Sequence, residues 1–186
     1  GNTIPEILAY CEEKEERLQK LQDYDSYLAQ LQKELKQRRQ ELEAAAEQLS
    51  SERKAQALQL EKAIETELKD LNFAEVQFQI HFDKLADYTA EGVDDVEFLI
   101  SMNPGQPVKP LAEVASGGEL SRTMLAIKTV MADRDEIETL IFDEIDVGIS
   151  GRTAQKVSEK MAVIGRNHQV ICITHLAQIA AQADQH

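Results

Sequence analysis

Four short segments hold the residue types that handle phosphate and water. The first, Ala115-Ser116-Gly117-Gly118-Glu119-Leu120-Ser121-Arg122, runs into Met124, Leu125, Ile127, Lys128 and Val130, whose apolar members keep helical spacing. Ser-Gly-Gly therefore stands at an expected helix start, where unpaired N–H groups and the helix dipole favour an anion. Two consecutive glycines also let the backbone approach a phosphate without a side-chain clash. On its own such a segment is more often a plain N-cap turn.

The second segment is Thr139-Leu140-Ile141-Phe142-Asp143-Glu144. A short apolar run ending in two carboxylates reads as a buried strand that delivers acids to the C-terminal edge of a sheet, where open α/β sheets place ligands. Asp143 is suited to hold Mg²⁺, directly or through water, and Glu144 to orient and deprotonate an attacking water. An acidic cap after a core strand is the plain alternative, of equal weight. The third segment, Ile145-Asp146-Val147-Gly148-Ile149-Ser150-Gly151, is a tight turn directly after the acids. Its Ser150 is expected to cap the helix carrying Val157, Met161 and Ile164. The fourth, Gln169-Val170-Ile171-Cys172-Ile173-Thr174-His175, is an apolar strand that would bring His175 to the same edge as Asp143 and Glu144. A lone histidine there is more commonly structural, and Cys172 reads as a small buried residue.

The elements that must position these groups fall into two halves. After Asn72, Val76, Phe78, Ile80 and Phe82 alternate with Gln77, Gln79 and His81, which predicts a half-buried strand. Val96-Glu97-Phe98-Leu99-Ile100 predicts a second strand, and 103–110, with three of the four prolines, a loop. Helices and strands then alternate, as in a layered α/β lobe over residues 73–186.

Residues 1–72 read differently. Between Glu6 and Asn103 there is no proline, and Gly92 is the one glycine, so a long helix is permitted. Leu21, Leu28, Leu35, Leu42 and Leu49 recur every seven residues, with Tyr24, Leu31, Arg38 and Ala45 as an imperfect second line. Ala57, Leu60, Ile64, Leu68 and Leu71 continue the stripe in a shifted phase, and Asp23-Tyr24-Asp25-Ser26 is the expected break. One helix over 6–72 would reach about 100 Å and would have to project from a lobe of this size. Five leucines in register call for a partner: a second copy of the chain, or an arm that it lacks.

Composition closes off several classes. The chain has 186 residues, 20 Lys+Arg, 34 Asp+Glu and a net charge of −14, which argues against a sequence-independent grip on DNA by this chain alone. Its one dense basic cluster, Lys36, Arg38 and Arg39, sits in an acidic helix and reads as a solvated face. No run of about 20 apolar residues exists to span a bilayer, and the charged N-terminal stretch excludes a secretory signal. Cys11 and Cys172 lack metal-ligand spacing, so neither a disulfide framework nor a zinc site is expected, and the compartment reads as reducing and cytoplasmic.

Taken in order, the four segments resemble the C-terminal half of an ATP-binding-cassette ATPase head. Ser116-Gly117-Gly118-Glu119 is similar to the signature motif, Thr139–Glu144 to the Walker B strand, Ile145–Gly151 to the D-loop and His175 to the switch histidine. A coiled coil ahead of the signature resembles SMC-like proteins rather than transporters, whose D-loop usually ends in an aspartate where Ser150 stands here. The stretches Val114–Arg122, Phe142–Gly151 and Thr174–Ala181 are similar to the RecN family of bacterial DNA-repair proteins.

The resemblance implies ATP-driven engagement of two heads in DNA double-strand break repair, in the cytoplasm at the nucleoid. Ser116, Gly117, Gly118 and Glu119 would then contact ATP held by the other head. Asp143 would serve Mg²⁺, Glu144 would be the catalytic base and His175 would sense the γ-phosphate, with Asp146 as the D-loop acid at the nucleotide. The partners implied are a homodimer mate, the N-terminal half of the same protein, and DNA. A P-loop needs Gly-x-x-x-x-Gly-Lys followed by Ser or Thr, and no glycine of this chain fits. The sequence therefore reads as a fragment whose phosphate cradle lies elsewhere in the intact protein, and as inactive alone. The alternatives are a non-catalytic coiled-coil scaffold and the head of another ATPase of the superfamily.

Overall fold

The computed structural model describes residues 3–103, 105–114 and 116–185. Pro104 of the loop and Ala115 of the first motif lie outside them. The chain divides into two units, Gly1–Leu49 and Ser50–His186, a division that falls within the first helix.

That helix, α1, spans Ile4–Asp70 without interruption. The break expected at Asp23–Ser26 does not occur. Ser26 Oγ donates to the Asp23 carbonyl at 2.8 Å, so the short polar side chain bonds back along the helix instead of competing with it. In the first unit the heptad leucines Leu21, Leu28, Leu35, Leu42 and Leu49 are 37–59% exposed.

In the second unit the shifted stripe has a different fate. Ile64, Leu68 and Leu71 are fully buried and join Phe73, Val76, Phe78 and Ile100 in one core. Each such side chain contributes roughly 1.5–3 kcal/mol by leaving water. α1 ends where Asn72 turns left-handed, at φ 74°, a conformation that asparagine tolerates better than most residues. Phe73 N–H then closes on the Leu68 carbonyl at 3.2 Å.

β1 (Gln77–Thr89) and β2 (Gly92–Ser101) form an antiparallel hairpin, with a short β3 (Lys109–Pro110) on the far side of β2. Both strands run longer than their sequence signals because the hairpin extends through polar residues to Thr89 and Gly92. Two carboxylates of α1 cap the β1 backbone: Glu65 accepts from Phe78 N–H at 3.1 Å and Glu61 from Ile80 N–H at 2.7 Å. The match follows from geometry, since four residues of helix and two of strand each advance about 6–7 Å. Farther along, Ser50 and Arg53 both bond Asp94 of β2.

A 3-10 turn at Leu111–Glu113 leads to α2 (Gly117–Met131), β4 (Thr139–Phe142), α3 (Gly151–Ile164), β5 (Gln169–Cys172) and α4 (Ala177–Ala180). β4 and β5 pair in parallel, Phe142 opposite Cys172. The β4 run reads in the sequence as a buried strand, yet burial is one-sided. Phe142 is in the core, whereas Ile141 is 67% exposed, with Ile171 and Ile173 exposed beside it. Among the described residues no further strand extends this two-stranded sheet. Lys160 of α3, nearly buried, joins Glu67 and Asp70 at the end of α1, so helix and lobe are tied by charge as well as packing.

Candidate functional site

α2 begins at Gly117, as its apolar spacing predicts. Ser116 is the N-cap, its backbone extended at φ −97° and its Oγ accepting from Glu119 N–H at 3.4 Å. The glycines that follow serve packing inside the chain as much as access from outside. A Cβ on Gly117 would lie 2.0 Å from Glu144 Oε2, and one on Gly118 would lie 3.0 Å from the Glu144 carbonyl and 3.1 Å from Val147 Cβ. The turn after β4 thus presses against the start of α2, through a rotatable side chain at Gly117 and through backbone at Gly118.

That turn carries the acid pair. Asp143 Oδ1 accepts from Glu144 N–H at 2.8 Å. Glu144 itself sits at φ 56°, a left-handed conformation costing a non-glycine residue about 1–2 kcal/mol. Such strain persists only where the surroundings over-determine it. Here they do: Ser121 Oγ donates to the Asp143 carbonyl at 2.7 Å, and Arg122 donates to the carbonyls of Ile145 and Val147 at 3.3 and 2.8 Å. Arg122 is 7% exposed, its guanidinium 5.3 Å from the Phe73 ring centroid. Burial lowers its pKa without discharging an arginine.

Asp146 occupies the interior of the turn. It is 4% exposed, and its Oδ2 accepts from Thr174 Oγ at 2.5 Å and His175 N–H at 2.8 Å, with His175 Nδ1 3.0 Å away. Burial pushes the carboxyl pKa up, but the Thr174 and His175 hydrogen bonds outweigh it and hold the group below the usual aspartate range. The His175 side chain stays 73% exposed. Cys172, the last residue of β5, has its thiol pushed up to about 11 by burial, then by Asp146 and Asp143, so it is an inert thiol rather than a nucleophile.

Asp143, Glu144 and His175 therefore leave the same end of two parallel strands, and Glu144 lies over Gly117 at the α2 N-terminus. Ser116, Gly117, Gly118 and Glu119 occupy that first turn, whereas Asp146 faces inward, its carboxylate filled by the His175 loop. Ser150 stands at the N-cap position of α3, but its side chain makes no capping hydrogen bond; only its carbonyl engages, accepting from Thr153 N–H at 3.2 Å. Mg²⁺ commonly takes one or two carboxylates and completes its shell with phosphates and water. Asp143 fits that demand, and no cluster of three candidate metal ligands exists among the described residues.

Three supporting residues, Ser121, Arg122 and Thr174, escape a reading based on chemistry-bearing motifs. A signal for Arg122 exists: it lies three and four residues before Leu125 and Ala126, so it falls on the buried stripe of α2, where a cation needs a purpose.

Curated proteins resemble the chain along its whole length. It is 42% identical over 190 residues to the DNA repair protein RecN of Halalkalibacterium halodurans, covering all of this chain and 34% of that protein. Against RecN of Bacillus subtilis it is 40% identical over 201 residues, covering all of the chain and 35% of the relative. The chain belongs to the RecN family. It spans about a third of the length of the curated RecN proteins it matches. No protein-family profile matches it. Among solved structures, an Smc head domain with a coiled coil and joint from Pyrococcus yayanosii superposes with a TM-score of 0.50 at 23% identity, covering 71% of this chain and 24% of that one. That likeness is one of fold: a mixed α/β lobe carrying a long helix, as the RecN-family motifs lead one to expect.

Proposed function

We propose that the intact protein carrying this chain repairs DNA double-strand breaks through ATP-driven engagement of two heads, in the cytoplasm at the nucleoid. The reading rests on one observation above all: Asp143, Glu144 and His175 leave one end of the β4–β5 pair, with the Ser-Gly-Gly helix start against Glu144. In this reading the N–H groups and hydroxyl of Ser116, Gly117 and Gly118 meet the γ-phosphate of ATP bound by the other head, with Glu119 one residue behind in the same helical turn. Asp143 would hold Mg²⁺, which when bound neutralises charge on the phosphates. Glu144 orients the attacking water and accepts its proton. His175 bonds a phosphate oxygen and reports its presence. Asp146 was an expected nucleotide contact; its burial favours a role behind His175.

This chain has no P-loop, so ATP itself would be cradled by another part of the protein. The heptad leucines would pair with an arm supplied by the N-terminal part of the protein or with a second copy. DNA as a partner rests on the RecN name of its relatives, since a net charge of −14 gives no electrostatic argument for gripping phosphates.

Glu144→Gln in the intact protein tests the assignment. It keeps the shape and removes the base, so ATP-dependent head engagement should persist while hydrolysis falls by about 10²–10⁴-fold. Turnover at the normal rate would remove Glu144 from the mechanism.

A further inference from the structure

Asp146 is the most enclosed carboxylate of the turn after β4, yet it touches neither the open edge nor the α2 N-terminus. One oxygen, Oδ2, gathers every contact it makes with the next loop: Thr174 Oγ at 2.5 Å, His175 N–H at 2.8 Å and His175 Nδ1 at 3.0 Å. The Thr174 hydroxyl in turn accepts from Leu176 N–H at 3.1 Å, at the start of α4. A carboxylate 96% buried, held ionised by these donors, cannot itself donate. The imidazole nitrogen facing it must therefore carry the proton.

We infer that Asp146 is a positioning residue: it locks His175 with Nδ1–H turned inward and Nε2 presented to the open edge beside Asp143 and Glu144. The backbone bond from His175 N–H fixes where the residue starts, and the close approach of Nδ1 to the same carboxylate oxygen sets how the ring turns. Two contacts to one oxygen leave the ring a single orientation, so the exposed nitrogen is pre-aimed rather than found by search. The same logic makes a buried aspartate behind a catalytic histidine select its tautomer. Because the turn bearing Asp146 also carries Asp143 and Glu144, the histidine is indexed to the acid pair through covalent chain. That Nε2 meets a phosphate oxygen rests on the proposed function; the tautomer and orientation do not.

Long-range ¹H–¹⁵N correlation of the imidazoles, with His175 assigned by substitution, reads the tautomer in this chain without nucleotide. Neutral His175 should carry its proton on Nδ1. Asp146→Asn, which removes the anionic acceptor, should shift the ring substantially toward the Nε2–H form, whereas Thr174→Val, which leaves the carboxylate, should retain Nδ1–H. In the intact protein Asp146→Asn should lower kcat about 10–100-fold with KM for ATP changed less than about twofold. An Nε2–H ring in the unsubstituted chain overturns the inference. An unaltered tautomer, or an unaltered kcat, in Asp146→Asn overturns it as well. Normal turnover by Glu144→Gln would strike the proposed function alone and leave the tautomer result standing.

Discussion

At the scale of single residues, the two signature glycines differ in what they forbid. The atom nearest a Cβ on Gly117 is Glu144 Oε2, the end of a rotatable side chain; for Gly118 it is the Glu144 carbonyl, with Val147 behind it. Gly118→Ala must therefore displace the turn after β4, and should cost about 1–3 kcal/mol in chemical denaturation. Gly117→Ala can be met by rotating Glu144, and should cost clearly less while altering activity of the intact protein more than stability. Equal stability losses would mean that the turn does not rest on α2 as described. Arg122 shows the same economy: a buried cation, costly to place, is retained because it holds two carbonyls of a left-handed turn that no regular ladder would satisfy.

At the scale of elements, one helix has two fates. Leu68 is fully buried and Leu35 is 59% exposed, though both lie in α1. Leu68→Ala should destabilise the lobe by about 2–5 kcal/mol, and Leu35→Ala by about 0.5 kcal/mol or less where nothing covers that stripe. Thermal melts of the two variants check this. The connections around β4 and β5 depend on a histidine. His168 Nδ1 lies 2.8 Å from the Ile137 carbonyl and Nε2 2.9 Å from that of Ala132. Only the imidazolium can donate to both.

The Ala132 and Ile137 carbonyls, with Asp135 nearby, raise its pKa against burial and Lys128. A raised folded pKa gives stabilisation that is full below the unfolded value of about 6.5 and lost as pH rises through the folded one. The urea midpoint should thus fall on the alkaline side of that window, and His168→Ala should lose this component of the pH dependence. A midpoint with the same slope in both proteins would show that the ring is neutral.

At the scale of the whole molecule, the proposed function gives this chain one side of a nucleotide site and one arm of a coil. Purified alone it should turn over no ATP, because none of its glycines forms a P-loop, and it should self-associate at micromolar concentration by burying the Leu21–Leu49 stripe. Sedimentation and phosphate release check both. A monomeric chain, or one with robust turnover, would contradict the proposed division of labour. The exposed isoleucines Ile141 and Ile171, on the two-stranded sheet, and Ile173 just after it fit the same view.

What the sequence by itself determined was local and periodic. Seven-residue spacing announced α1, alternation announced β1, and the order of Ser116-Gly117-Gly118, Asp143-Glu144 and His175 announced the family, because those signals survive in any window of a few residues. Tertiary structure decided what depends on residues distant in the chain. It exposed one face of β4. It left the Ser150 side chain without a capping bond, turned Asp146 inward to His175, and put Arg122 against the carbonyls of Ile145 and Val147. Spacing can place a side chain on an element. Which neighbours desolvate it, and whose hydrogen bonds it completes, are settled only when the elements pack.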